Sequence, residues 1–353
     1  MTEHSEKSDL LEISLRLRRR GRGSLVLLAA GLAAVFLVSF SLGKYPASVE
    51  DVVKILFSRV LPIPQSWSNE TAGVVLRLRL PRILLGCLVG GGLSAAGAAY
   101  QSAFQNAMAS PDLLGATAGS AFGAALAILL GGSSGMITAS AFAFGLMTVG
   151  ATWLVGSRAQ GNRVVNFILA GIMMTSLFTA GTSYIKLIAD PTDQLPAITY
   201  WLMGSLNSTR LHDLAFAAVP MSVGILTLLL LRWRMNLLTL GDDAARSMGV
   251  NADALRLGVT ISATLITASA VSVSGMIGWV GLVIPHLCRR LVGADNRYLL
   301  PASVLLGAAF LVLVDDAARC LSTSEIPIGI LTAVIGAPFF LYLIIRKEGA
   351  LCC

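Results

Sequence analysis

The chain has 353 residues, 55% of them hydrophobic and only 13% charged, with a formal net charge of +7. A soluble globular protein carries about 25% charged residues, and the shortfall here is concentrated in long uncharged runs, which excludes a soluble multidomain enzyme. In such a chain an excess of Lys and Arg marks cytoplasmic loops and not nucleic-acid binding. Of the five cysteines, Cys87, Cys288 and Cys320 fall in or at the ends of apolar runs and read as small buried hydrophobes. The terminal pair Cys352–Cys353 lacks a prenylation arrangement and reads as tail.

The N-terminal segment 1–23 ends in the basic stretch LRLRRRGR. Residues 24–43 form the first apolar run and lead into SLGKYP without a small-residue cleavage pattern, so they read as a retained anchor and not a signal peptide. A helix rises about 1.5 Å per residue, so roughly 20 residues cross about 30 Å of hydrocarbon. Residues 83–111 hold a second span. Residues 113–157 are too long for one helix, and GGSSG at 131–135 divides them into two. Spans five and six are expected over 164–185 and 214–231. Residues 257–288 break at VSGMIGW, 273–279, leaving one normal helix and one short one. Residues 299–318 and 327–345 bring the total to ten. The fold class is therefore an all-α polytopic membrane protein, with a permease domain over 24–347 and a tail at 348–353. Runs such as VGGGLSAAGAAYQ predict close helix packing into a compact bundle.

Ten spans place both termini on one side. With the N-terminal tail cytoplasmic, seventeen Lys and Arg fall inside and nine outside, six of the nine in the single loop 44–82. That bias gives cytoplasmic N and C termini. The exception is VLRLRLPRILLG, residues 75–86, which sets Arg77, Arg79 and Arg82 at the outer mouth of span two. Either a long loop escapes the charge rule, or these cations form a docking surface for carboxylates, which guanidinium groups match bidentately.

Ionisable groups are scarce in the spans. Asp315 and Asp316 near the outer end of span nine have Arg319 at i+4 and i+3, a spacing that permits helical ion pairs. His4, His212 and His286 have no metal-ligand partner at helical spacing, and no phosphate-binding GxxxxGK[ST] loop occurs. Energy for uphill movement must then come from another subunit. The largest internal loop, 232–256, contains a polar helix that starts at Gly241 and Asp242 and stops at Gly249; it reads as a connecting loop or as the attachment point of such a subunit.

Six stretches in order resemble the membrane permeases of ABC importers for ferric siderophores, haem and cobalamin. They are LRLPRILLGCLVGGGLSAAGAAYQ, ASPDLLGATAGSAFG, YWLMGSL, LGDDAARSMGV, SGMIGWVGLVIPHLCRRLVGADNRYLLPAS and EIPIGILTAVIGAPFFLYLI. The resemblance implies ten helices per subunit and a location in the prokaryotic inner or plasma membrane. It also implies a second permease subunit, so that the pair encloses a central pathway. Two cytoplasmic ATPase subunits, which alone use ATP and Mg, and an extracytoplasmic solute-binding protein complete the assembly; no cofactor and no nucleic acid is implied for this chain. The segment Gly241, Asp242, Asp243, Ala244, Ala245, Arg246, Ser247, Met248, Gly249, Val250 is similar to the helices that couple to the ATPase. Arg79, Arg82 and Arg319 lie at positions similar to those contacting acidic residues of the binding protein, while Arg77 matches no such position. The pathway is expected along spans three, five, eight and ten and the short helix Tyr200–Leu206, with Tyr200, Trp201 and Met203 as lining residues and Val164 and Val165 at its inner gate.

Two departures stand out: Ala107 sits where a proline is frequent, and Val164 and Val165 sit where the cobalamin permease has small hydroxyl residues. Ferric siderophore is the leading cargo, with haem, cobalamin and molybdate-type oxyanions as alternatives. A passive channel or secondary carrier, and a membrane scaffold, are the competing functions.

Overall fold

The computed structural model describes residues 2–345 apart from 44, 46–47, 59–60, 63, 208–210 and 323, with the backbone alone for 2–20 and 343–344. Tail 348–353, with Cys352 and Cys353, lies outside the described residues. Among them every regular element is helical. The order is α1 (Thr2–Ser39), α2 (Val49–Phe57), α3 (Asn69–Gly73) and a π turn over Val74–Arg79 that runs into α4 (Leu80–Ala103). A 3₁₀ turn at Pro111–Leu114 precedes α5 (Ala116–Leu129), α6 (Ser134–Arg158), α7 (Arg163–Ile188), α8 (Gln194–Met203) and α9 (Leu211–Leu238). Then come α10 (Asp242–Ser247), α11 (Ala252–Ser274), α12 (Val280–Val292), α13 (Asn296–Cys320) and α14 (Ile328–Ile345).

Among the described residues seven stretches are long and apolar enough to cross a membrane: Gly21–Ser39 of α1, Asn69–Ala103, α6, α7, α9, α11 and α13. With the shorter α5, α12 and α14 they correspond to the ten expected spans. Both expected breaks occur, at Gly131 (φ +69°) and Gly275 (φ +67°), in the left-handed region where a side chain is penalised. No break marks residue 23, because α1 continues through it.

α4, α11 and α13 form the centre, with 83%, 72% and 61% of their apolar windows buried, against 6% for α1 and 17% for α7. Glycine makes that centre possible. A Cβ at Gly97 of α4 would collide with the carbonyl oxygen of Gly281 on α12, and one at Gly90 with that of Gly307 on α13. The helices thus meet backbone to backbone, the packing expected where lipid removes the hydrophobic drive between helices.

A second junction joins three irregular segments. Ser205 N donates to Ser274 O at 2.8 Å, and Ile328 N to Gly204 O at 2.9 Å. The end of α8, the end of α11 and the start of α14 are thereby pinned together. Trp279, just before α12, holds φ +71°, a costly conformation for a bulky residue; its side chain lies against Gly336 of α14.

Candidate functional site

Three regions hold the candidate residues. Two lie at opposite ends of α4, about 32 Å apart for the 21 residues from Arg82 to Ala103 at 1.5 Å each.

At the Ala103 end, α10 is a capped single turn and a half. Gly241 precedes it at φ +101°, and Asp242 and Asp243 occupy its first turn, where carboxylates suit the helix dipole. Gly249 (φ +77°) ends it: Gly249 N donates to Arg246 O at 2.9 Å and Val250 N to Ala245 O at 3.0 Å. This is the paired bond pattern of a glycine-terminated helix, as the sequence reading of Gly249 requires. Ala245 is fully buried, while Asp243, Arg246, Ser247 and Met248 face outward. The anchor beneath is Arg256 of α11, 1% exposed, whose guanidinium donates to Asp242 at 2.6 and 3.3 Å and to Ala103 O at 3.1 Å. One buried cation therefore ties α10 to both α11 and the end of α4. The sequence reading missed it, because Arg256 counts there only as one more loop charge.

At the other end, Arg79, Arg82 and Arg319 line one depression of about 260 Å³ with Asn207 and Glu325. All three guanidinium groups are engaged within the chain. Arg79 donates to the carbonyls of Phe40 and Tyr45. Arg82 reaches Asp315 at 2.8 Å and Glu325 at 3.0 Å, its side chain 10% exposed. Arg319 pairs with Asp315 at 3.3 Å and with Asp316, which also accepts from Ser39 at 2.6 Å. The helical pairing read from the Asp315–Asp316–Arg319 spacing is present. Arg77, by contrast, is exposed. The burial of Arg79 follows from the π turn Val74–Arg79, in which Leu80 N bonds to Val75 O and the face presented by each arginine shifts from that of an α-helix.

The third region is a cavity of about 490 Å³ beside the three-way junction, lined by Met203, Met276, Trp279, Asp112 and Thr117 among others. A neighbouring cavity of about 320 Å³ shares Asp112, Thr117 and Met276 and runs along Thr175, Thr179, Thr182, Ser183 and Lys186 of α7. Tyr200 and Met203 are exposed and Trp201 half-buried. Val164 is half-buried and Val165 exposed, at the far end of α7 from these cavities. The structure thus separates the two groups of expected lining residues, Val164 and Val165 at the start of α7 and Tyr200, Trp201 and Met203 on α8. Asp112, whose carboxylate accepts from Thr117, is a group the span count stepped over: it falls between two uncharged runs and looks like a loop residue. Gly115 packs on Thr175 in the middle of α7, so the 3₁₀ turn lies deep in the bundle.

The chain as a whole matches known proteins. The model of the FecCD transport family matches residues 31–346, and the chain belongs to that family. It is a membrane transport subunit, and ATP hydrolysis resides in a separate subunit. The chain is 39% identical over 321 residues to the molybdate import system permease protein MolB of Haemophilus influenzae, covering 91% of this chain and 95% of that one. It is 41% identical over 276 residues to an iron chelatin transport system permease protein of Helicobacter pylori, covering 78% and 83%. A solved structure described as an inward-facing conformation of a metal-chelate type ABC transporter superposes with a TM-score of 0.82 at 39% identity, covering 91% of this chain and 98% of that one.

Proposed function

We propose that the chain is the permease subunit of an ATP-driven importer in the prokaryotic inner membrane, with both termini cytoplasmic. It pairs with a second permease subunit, takes its energy from two ATPase subunits at α10 and receives its cargo from an extracytoplasmic solute-binding protein. The observation that carries this reading is α10: a short, doubly stopped helix with Ala245 buried beneath it and Asp243, Arg246 and Met248 turned outward. An ordinary connecting loop has no need of a buried arginine to hold it. The depression around Arg79, Arg82 and Arg319 is the docking surface for carboxylates of the binding protein. The cargo is a metal chelate, a ferric siderophore, which the methionine- and tryptophan-lined cavity suits by its soft, apolar wall.

An oxyanion of the molybdate type is the second reading, with haem and cobalamin as further alternatives. The hydroxyl-rich cavity along α7, ending in Lys186, favours it, as does the likeness to MolB. Proteoliposomes holding the full importer separate the two. ATP-dependent accumulation of a radiolabelled ferric siderophore, and none of molybdate, is the expected result. Accumulation of molybdate alone would overturn the cargo reading while leaving the permease reading intact.

A further inference from the structure

We propose that Asp253 transmits movement of α10 to the pathway helix α7, its carboxylate joining Arg246 to Arg163. The inference rests on the reading of α10 as the ATPase contact. Arg163 Nη1 pairs with Asp253 Oδ1, Arg246 Nη2 stands 3.6 Å from Oδ2, and Arg256 Nη1 lies 3.8 Å from Oδ1. Three cations from three helices therefore converge on one carboxylate.

Asp253 moves with α10. Only the Met248–Asn251 connection separates the two helices, and Val250 N closes the end of α10 onto Ala245 O. The Asn251 side chain then caps α11 by accepting from Ala254 N at 3.0 Å, which fixes the first turn in which Asp253 sits. Arg163 is held as firmly on its own side. It is the first residue of α7, and the Asn162 side chain accepts from Val164 N at 3.0 Å and Val165 N at 3.3 Å. A pull on Arg163 is thus a pull on the helix start that carries Val164 and Val165.

The two joints made by the α10–α11 unit differ in kind. Arg256, its side chain 1% exposed, grips Asp242 of α10 bidentately and donates to Ala103 O of α4, although the Asp242 side chain is itself 31% exposed; leaving that buried cation without its partner is strongly unfavourable. The Asp253 side chain is 36% exposed, that of Arg163 54% and that of Arg246 57%, so solvent screens these pairs and each adds little to stability. A weak joint of this kind can break and re-form in every transport cycle. The same feature makes it testable, because its removal leaves the fold in place.

The measurement is cargo moved per ATP hydrolysed, in the complete importer, with radiolabelled ferric hydroxamate siderophore and with molybdate in parallel. Asp253→Asn should lower the ratio about tenfold, within the range of ordinary coupling between sites. Arg163→Gln should lower it equally, although Arg163 belongs to α7 and not to α10. The double variant should be no worse than either single one, since both cut one link. Asp253→Glu and Arg163→Lys should retain most of the coupling. An unchanged ratio in Arg163→Gln, or additive losses with a falling melting temperature, would overturn the proposal. Ala245→Pro serves as the reference. If it uncouples while Arg163→Gln does not, the link is wrong and the α10 contact stands; if it also leaves the ratio intact, the contact lies elsewhere and the link falls with it.

Discussion

At the scale of single residues, Arg82 is committed to two carboxylates at once. It holds Asp315, 3% exposed, on one side and Glu325, 23% exposed, on the other. Removing one member of a buried pair leaves an uncompensated charge and costs about 3–5 kcal/mol. Arg82→Gln should therefore lower the melting temperature of the purified protein sharply, whereas Glu325→Gln, nearer to water, should lower it little. Equal shifts for the two would show that burial does not rank these bonds. Exposed Arg77 lies outside the docking set and serves as its control. Arg77→Glu should leave binding of the solute-binding protein and its salt slope nearly unchanged; a marked loss of binding would extend the docking surface to Arg77. The i+3 and i+4 pairing of Arg319 was legible from spacing alone. Arg82's partners, more than 230 residues away in sequence, were not, because only the helix packing brings them together.

At the scale of elements, run length and glycine placement foretold α5, α6, α11 and α12, including the breaks at 131–135 and 273–279. Less legible were the elements that depend on neighbours. The π turn has no sequence signature, and the burial of Arg79 that goes with it was invisible beforehand. α10 was readable from Asp242 and Gly249, yet its buried fastening to Arg256 was not. Two substitutions test these elements. Ala245→Pro removes the Ala245 N bond to Gly241 O and should cost about 3 kcal/mol in helix stability; the inserted protein should lose cargo-stimulated ATP hydrolysis. Gly97→Val forces a side chain between α4 and α12, where overpacking costs about 1–3 kcal/mol or more; a broadened, lower thermal transition in detergent should follow, and an unchanged one would refute the backbone contact.

At the scale of the whole molecule, the composition settled the class. Long uncharged runs can be stable only in lipid, and no other solvent tolerates so many of them. Which helices occupy the centre did not follow, since α4 and α7 have similar apolar content but 83% and 17% of their windows buried. The difference lies in glycine, which lets α4 be surrounded at close range. The purified chain, lacking a phosphate-binding loop, should hydrolyse no ATP; turnover without an ATPase subunit would contradict its place as a transport component.

Helix α1 carries a mechanical consequence. Its apolar stretch Gly21–Ser39 is 6% buried, and it leans chiefly on α13, with Leu25, Leu28, Val35 and Phe36 packed against the core. Near one end Ser39 is bonded to Asp316 and Arg319, and near the other Gly21 abuts Tyr298. Nineteen residues at 1.5 Å give about 28 Å between these fastenings, close to the hydrocarbon thickness. The helix is in effect a strut of fixed length moored to both ends of α13. A bilayer that swells or thins loads this strut, and the load falls on the same ionic cluster that closes the arginine-lined mouth.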